Sequence, residues 1–251
     1  RDPLWSRGLG DVYKRQDKTY SYIFVSNPDT LDYITSTRDS TSSITTNLID
    51  GLLENDQYGN LIPSMAESWT VSKDGLTYTY KIRQGAKWYT SEGEEYADVT
   101  AHDFVTGLKY AADKKAENLY LVQDSIKGLA DYVEGRTSDF GTVGVKAVDD
   151  YTLQYTLIQP ETYWNSKTTA SILSPVNEAF LKSKGDDFGS VTPSSILSNG
   201  PYLFKSFTSK SLIEFDKNPN YWDKDNVKID NVKLTFYDGS DQESLIRSFT
   251  Q

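Results

Sequence analysis

The segment PSMAESWTVSKDGLTYTYKIRQGAKW, residues 63–88, decides how the rest of the chain is read. Its second half alternates, with Leu76, Tyr78, Tyr80 and Ile82 on one side and Thr77, Thr79, Lys81 and Arg83 on the other. A period of two belongs to a strand with one buried face. Asp74-Gly75 sits where the chain must reverse, and that pair is a strong hairpin signal. A hairpin is therefore expected, with strands near 69–72 and 76–83.

Working outward, YSYIFVS at 20–26 reads as a buried strand ending at Asn27-Pro28. Ile44, Leu48, Ile49, Leu52 and Leu53 fall on one helix face. Beyond Trp88, YTSEGEEYAD reads as a polar loop, and Thr100 with Asp103 as the capping box of a helix carrying Phe104, Leu108 and Ala111 or Ala112. A further helix is expected over roughly 118–134, then a strand pair at 143–148 and 151–157 that Pro160 ends. NEAFLKSKGDDFG reads as a short helix closing on glycine. GPYLFKSFTSKSLIEFDKN is a third hairpin-like pair, VKIDNVKLTFY a further strand, and DQESLIRSFTQ the start of a helix. The pattern is α+β, with no repeat of fixed period. The first sixteen residues are basic and aperiodic, and are expected to be a cloning or assembly remnant with the true N-terminus missing.

Composition narrows the function classes. With 37% hydrophobic and 25% charged residues in 251, the chain is globular. Its net charge of -10 repels a phosphate backbone, so nucleic acid is not an expected partner. No cysteine is present, which removes disulfides, thiolate metal sites and a cysteine nucleophile. No apolar run reaches the ~20 residues of a membrane span, and no signal peptide is visible.

Catalytic constellations are also missing. The single histidine, His102, falls in a predicted first helical turn, and no G-x-S-x-G elbow accompanies it. Glu94-Glu95, Asp149-Asp150 and Asp186-Asp187 are adjacent pairs in predicted turns, not carboxylates facing each other at about 5–9.5 Å across a cleft. Phosphate-cradling glycine loops are absent. The expectation is no enzyme, no metal and no cofactor. Strands, 18 tyrosines and exposed backbone instead suit recognition of an extended chain.

Three ordered blocks carry a resemblance. Residues 63–88 followed by VTAHDFVTGLKYAAD show A-x-x-W, a D-G hairpin, K-W and T-A-x-D-F-V. SNGPYLFKSFTSKSLIEFDKNPNYWD shows G-P-Y and N-P-x-Y-W, and PDTLDYITSTRDSTSSITTNLIDGLL shows L-D and G-L-L. Over residues 20–251 the chain resembles extracellular solute-binding protein family 5, specifically the oligopeptide-binding lipoproteins of Gram-positive peptide ABC importers. The loop YTSEGEEYAD departs from that family's short D-G-x-P turn.

The resemblance implies a mixed, periplasmic-binding-protein-like type II (cluster C) fold, seen as an N-terminal fragment without its second lobe. Residues 17–45 and 172–251 would form the first-lobe sheet, and 46–171 an inserted accessory α+β domain holding the hairpin. Trp88 and Trp222 would serve packing. The implied function is a monomeric, lipid-anchored cell-surface receptor that clasps an extended oligopeptide and delivers it to an ABC permease. Thr37, Arg38 and Asp39 match the stretch whose backbone pairs with peptide, and Tyr120 matches a tyrosine lining the cleft. The acidic group that fixes the peptide amino terminus would lie in the missing lobe. Oligosaccharide or dipeptide remains the alternative ligand on the same fold.

Overall fold

The computed structural model describes residues 18–240. Its elements are β1 (Thr19–Phe24), α1 (Asp39–Thr45), β2 (Leu53–Asn55), β3 (Leu61–Pro63), β4 (Ala66–Val71), β5 (Thr77–Ile82), β6 (Lys87–Tyr89) and β7 (Glu95–Asp98). There follow α2 (Ala101–Lys114), α3 (Leu129–Val133), β8 (Val145–Asp149), β9 (Thr152–Thr156), α4 (Trp164–Lys167), α5 (Glu178–Lys184), β10 (Tyr202–Thr208), β11 (Leu212–Lys217) and β12 (Asn231–Phe236). The segment 1–16 and the helix expected over 241–251 lie outside the described residues.

The hairpin of residues 63–88 is β4 and β5. Gly75 takes φ 72°, which a side chain disfavours. The Asp74 carboxylate accepts from the Ser72 hydroxyl and the Leu76 amide, and these bonds hold its pKa below the ordinary carboxylate value. Tyr78, Tyr80 and Ile82 are buried as the alternation requires. β5 pairs with β9 and β9 with β8, giving an antiparallel sheet in the order β4-β5-β9-β8. Tyr80, Tyr155 and Trp164 meet above it, with centroids 6.1 Å apart for the tyrosines and 5.3 Å for Tyr155 and Trp164.

A second four-stranded sheet, β1-β12-β11-β10, takes its strands from both ends of the described chain. β1 runs parallel to β12, from Thr19 opposite Asn231 to Phe24 opposite Phe236. One face carries Tyr20, Tyr22, Val232, Leu234, Ile213 and Phe215, and α1 covers only part of it. Phe215 is fully buried, whereas Tyr20 and Tyr22 are 51% and 55% exposed.

Residues from the three sequence blocks converge around Asp50, Asn199 and Tyr221. The Asp50 amide donates to Asn199 Oδ1 at 2.8 Å, the Asn199 amide group donates back to the Asp50 carbonyl at 3.1 Å, and Tyr221 donates to Asp50 Oδ2 at 2.6 Å. The Leu48 carbonyl accepts from the amides of Asn199 and Gly200 and from the Ser198 hydroxyl. Beside this cluster the Arg83 guanidinium lies 3.7 Å over the Trp222 ring.

α2 starts as expected. Thr100 and Asp103 form the capping box, and the buried Asp103 carboxylate also accepts the Trp88 indole N–H at 2.9 Å. Burial pushes the Asp103 pKa up to about 6. Replacing Asp103 by alanine removes a cap and leaves a buried indole donor unpaired. The expected cost is about 2 kcal/mol in urea unfolding, and a loss below about 0.5 kcal/mol would refute this account of the start of α2.

Four expectations need correction. β1 is a strand, but Tyr20 and Tyr22 are open rather than buried. The helix near 44–53 ends at Thr45, because the Leu48 carbonyl is held by residues 198–200 and cannot serve a helix. The helix over 118–134 resolves into a short 3-10 turn, Glu117–Leu121, and α3, since bonds from Ile158 to Ser125 and from Lys127 to Thr156 draw the intervening chain to β9. Residues 89–98 are not all loop: Lys87 bonds to Asp98 and approaches Glu95, closing the β6–β7 hairpin.

Candidate functional site

The segment between β1 and α1 is held from several sides. The Leu31 amide and Thr30 hydroxyl both reach the Gly189 carbonyl. Tyr33, buried, donates to the Pro175 carbonyl at 2.8 Å. Asp32, 7% exposed, accepts four hydrogen bonds: the Ile34 and Thr35 amides at 3.1 Å each, the Thr35 hydroxyl at 2.7 Å and the Tyr110 hydroxyl at 2.8 Å.

That clamp delivers residues 37–39 to the surface, where all three are exposed. Arg38 occupies the N-cap position of α1 with extended backbone, φ -82° and ψ 137°, and its guanidinium pairs with Asp29 at 3.1 Å. Asp39 is the first helical residue. The Thr37 hydroxyl donates to Glu117 Oε2 at 3.0 Å. Among the described residues, neither the amide nor the carbonyl of Thr37 has a hydrogen-bond partner. The Arg38 carbonyl already accepts from the Thr41 and Ser42 amides, so Thr37 is the residue with exposed, unpaired backbone that a strand-adding ligand could pair with.

Tyr120 stands 75% exposed on the 3-10 turn Glu117–Leu121, so it is not a packed helix aromatic. In such a turn residue i+3 lies over residue i, so Tyr120 shares a side with Glu117, the residue that touches Thr37. The sequence named Thr37, Arg38, Asp39 and Tyr120 as candidates; the structure adds Glu117, Asp32 and Tyr110 as residues that contact or hold that segment. Only the contact to Thr37, 80 residues away in sequence, marks Glu117 out.

A hollow of about 860 Å3 opens beside this segment, between α1 and the uncovered face of the β1-β12-β11-β10 sheet. Arg38 and Asp39 stand at its rim, and its floor includes Tyr20 and Tyr22, whose rings lie nearly parallel with centroids 6.4 Å apart. His102 is elsewhere, on the surface, 3.0 Å from Asp150. The described residues hold no cluster of three or more histidine, aspartate or glutamate side chains placed to bind a metal. No helix among them is long and apolar enough to cross a membrane.

The family model described as bacterial extracellular solute-binding proteins, family 5 middle, matches residues 60–248. The oligopeptide-binding protein AliB of Streptococcus pneumoniae is 70% identical over 233 residues, 93% of this chain and 36% of AliB. SarA of Streptococcus gordonii, also an oligopeptide-binding protein, is 66% identical over 94% of this chain and 36% of its own length. The chain thus spans about a third of the length of these curated relatives. Listeria monocytogenes OppA bound to peptide superposes with TM-score 0.84 at 29% identity, over 94% of this chain and 45% of that one. The pheromone receptor PrgZ superposes with TM-score 0.83 at 26% identity, over 93% of this chain and 45% of that one. The fold is of this OppA-like, mixed α/β kind.

Proposed function

Because the chain belongs to the bacterial extracellular solute-binding proteins of family 5, we propose that it is part of an extracytoplasmic receptor that captures oligopeptides and presents them to an ABC importer. The observation that carries the reading is the Thr37 backbone, exposed and unpaired beside Arg38 and Asp39. A peptide lying along it gains hydrogen bonds that every sequence can make, while hydrated pockets tolerate varied side chains. Closure of a second lobe over the peptide then removes it from water and gives the permease a shape to recognise. No bond is made or broken in such a cycle.

Within this reading residues 17–45 and 172–251 make the first-lobe sheet, and 46–171 an accessory domain set into it. Thr37, Arg38 and Asp39 offer backbone to the ligand, and Tyr120 offers a ring beside it. In the complete receptor a lipid anchor holds the protein at the cell surface, and it works as a monomer.

Tyr120→Ala in the complete receptor is the test. An exposed aromatic contributes little to stability, within about 0.5 kcal/mol, but an aromatic ligand anchor is worth about tenfold or more in affinity. Isothermal titration with an oligopeptide is therefore expected to show at least that loss at an unchanged melting temperature. Unchanged affinity removes Tyr120 from the site.

The parallel Tyr20 and Tyr22 rings in the hollow favour a second reading, since sugars stack on such a platform. A melting-temperature rise with oligosaccharides and none with oligopeptides would select it.

A further inference from the structure

The segment that carries Thr37 is held by two contacts from one stretch of chain. Tyr110, on the last turns of α2, reaches Asp32, and Glu117, on the 3-10 turn that follows, reaches Thr37. α2 is a stiff support for this task. Its first turn is capped and tied to Trp88, and its middle packs against the chain at Ser174 with only a glycine between. From the other side Gly189 abuts the Asp32 backbone so closely that no side chain would fit.

We infer that Tyr110 is a positioning residue for ligand binding, acting through Asp32 to fix the backbone of residues 34–39. This rests on the reading that the Thr37 backbone pairs with the ligand. One carboxylate oxygen of Asp32 orients the Ile34 and Thr35 amides, and the other is shared by the Thr35 and Tyr110 hydroxyls. The Tyr110 hydroxyl is the only one of these donors that comes from outside the segment. Burial, and then the Asp32 charge, raise the Tyr110 pKa, so the hydroxyl keeps its proton and remains a donor. Without it the carboxylate swings with the loop it is meant to hold, and the ligand must order that loop on binding. The stretch 46–171 thereby contributes to capture through a residue that need not touch the ligand.

The experiment uses the complete receptor and an alanine-rich hexapeptide, whose small side chains leave the backbone as the recognised feature. Tyr110→Phe keeps the ring and loses only the hydroxyl. Tyr132→Phe is the control, since it breaks a comparable tyrosine–aspartate bond, to Asp113, away from the segment. Tyr110→Phe is expected to raise Kd about five- to tenfold, the effect of lost preorganisation, and to speed hydrogen exchange at the Ile34 and Thr35 amides. Tyr132→Phe is expected to do neither, at a similar melting temperature. Equal affinity and exchange in Tyr110→Phe and the unaltered receptor would overturn the inference while leaving the peptide-receptor reading intact. Failure of the unaltered receptor to bind the hexapeptide would overturn the backbone-pairing reading, and the inference with it.

Discussion

Stability is expected to fall as pH rises from about 4 to about 7, and Asp50→Asn is expected to remove the upper part of that fall. Asp50 is buried, and burial pushes its pKa from 3.8 up to about 7, against the lowering effect of the Tyr221 hydrogen bond. Glu54 and Asp223 lie close enough to add to the rise. The folded state therefore holds a proton that the unfolded chain has released. A carboxyl raised in this way contributes fully below the unfolded value, and the contribution is lost as pH climbs through the folded one. At about 1.4 kcal/mol for each tenfold in proton affinity, full ionisation costs on the order of 4 kcal/mol. Asparagine keeps an acceptor for Tyr221 and cannot ionise. Urea unfolding at pH 5, 6, 7 and 8 should show the native chain losing about 2 to 3 kcal/mol across that range through Asp50. The variant should retain only the smaller slope from Asp103, which flattens above about pH 6. Parallel pH profiles for the two proteins would show that Asp50 is already ionised in the fold.

Gly107→Ala is expected to destabilise by about 1–2 kcal/mol, against the local preference of the helix. In a helix interior alanine is ordinarily better than glycine by about 1 kcal/mol. Here a Cβ would overlap the Ser174 carbonyl oxygen, a backbone atom that cannot rotate aside. The Val176 amide, two residues on, bonds to the Asp103 carbonyl at 2.9 Å, so the opposing chain is fixed to the same helix. Relief requires α2 or residues 174–176 to move, and overpacking of this kind costs about 1–3 kcal/mol or occasionally more. Chemical denaturation decides the matter, and an unchanged or higher midpoint would show that the contact yields. Because α2 also carries Tyr110, the same change should loosen the segment around Asp32.

The hairpin was legible because its alternation records burial directly: Tyr78, Tyr80 and Ile82 are inside, and Lys81 is out. The capping box was legible because its bonds are local. Elements shaped by distant partners were not. Nothing within residues 44–53 announces that the Leu48 carbonyl belongs to Asn199 and Gly200. The composition of YSYIFVS describes what a strand can bury, but not whether anything covers it. The site divides in the same way. Thr37, Arg38, Asp39 and Tyr120 came from motif resemblance, whereas Glu117, Asp32 and Tyr110 emerge only when chain segments 78 and 80 residues apart meet.

The parallel pairing of β1 with β12 has a temporal side. Lys18 and Asp230, bonded to each other at the edge of this pair, are 212 residues apart. At a synthesis rate of about 5–20 residues per second, some 10–40 seconds separate the appearance of β1 from that of its partner. β10 and β11 emerge only near the end of that interval and can then form as a local hairpin, while β1, among the described strands, still has no neighbour to pair with. Of the four strands of this sheet, the one made first is among the last to be paired. Its run of aromatic and branched residues is meanwhile a ready substrate for chaperones, or for another copy of itself.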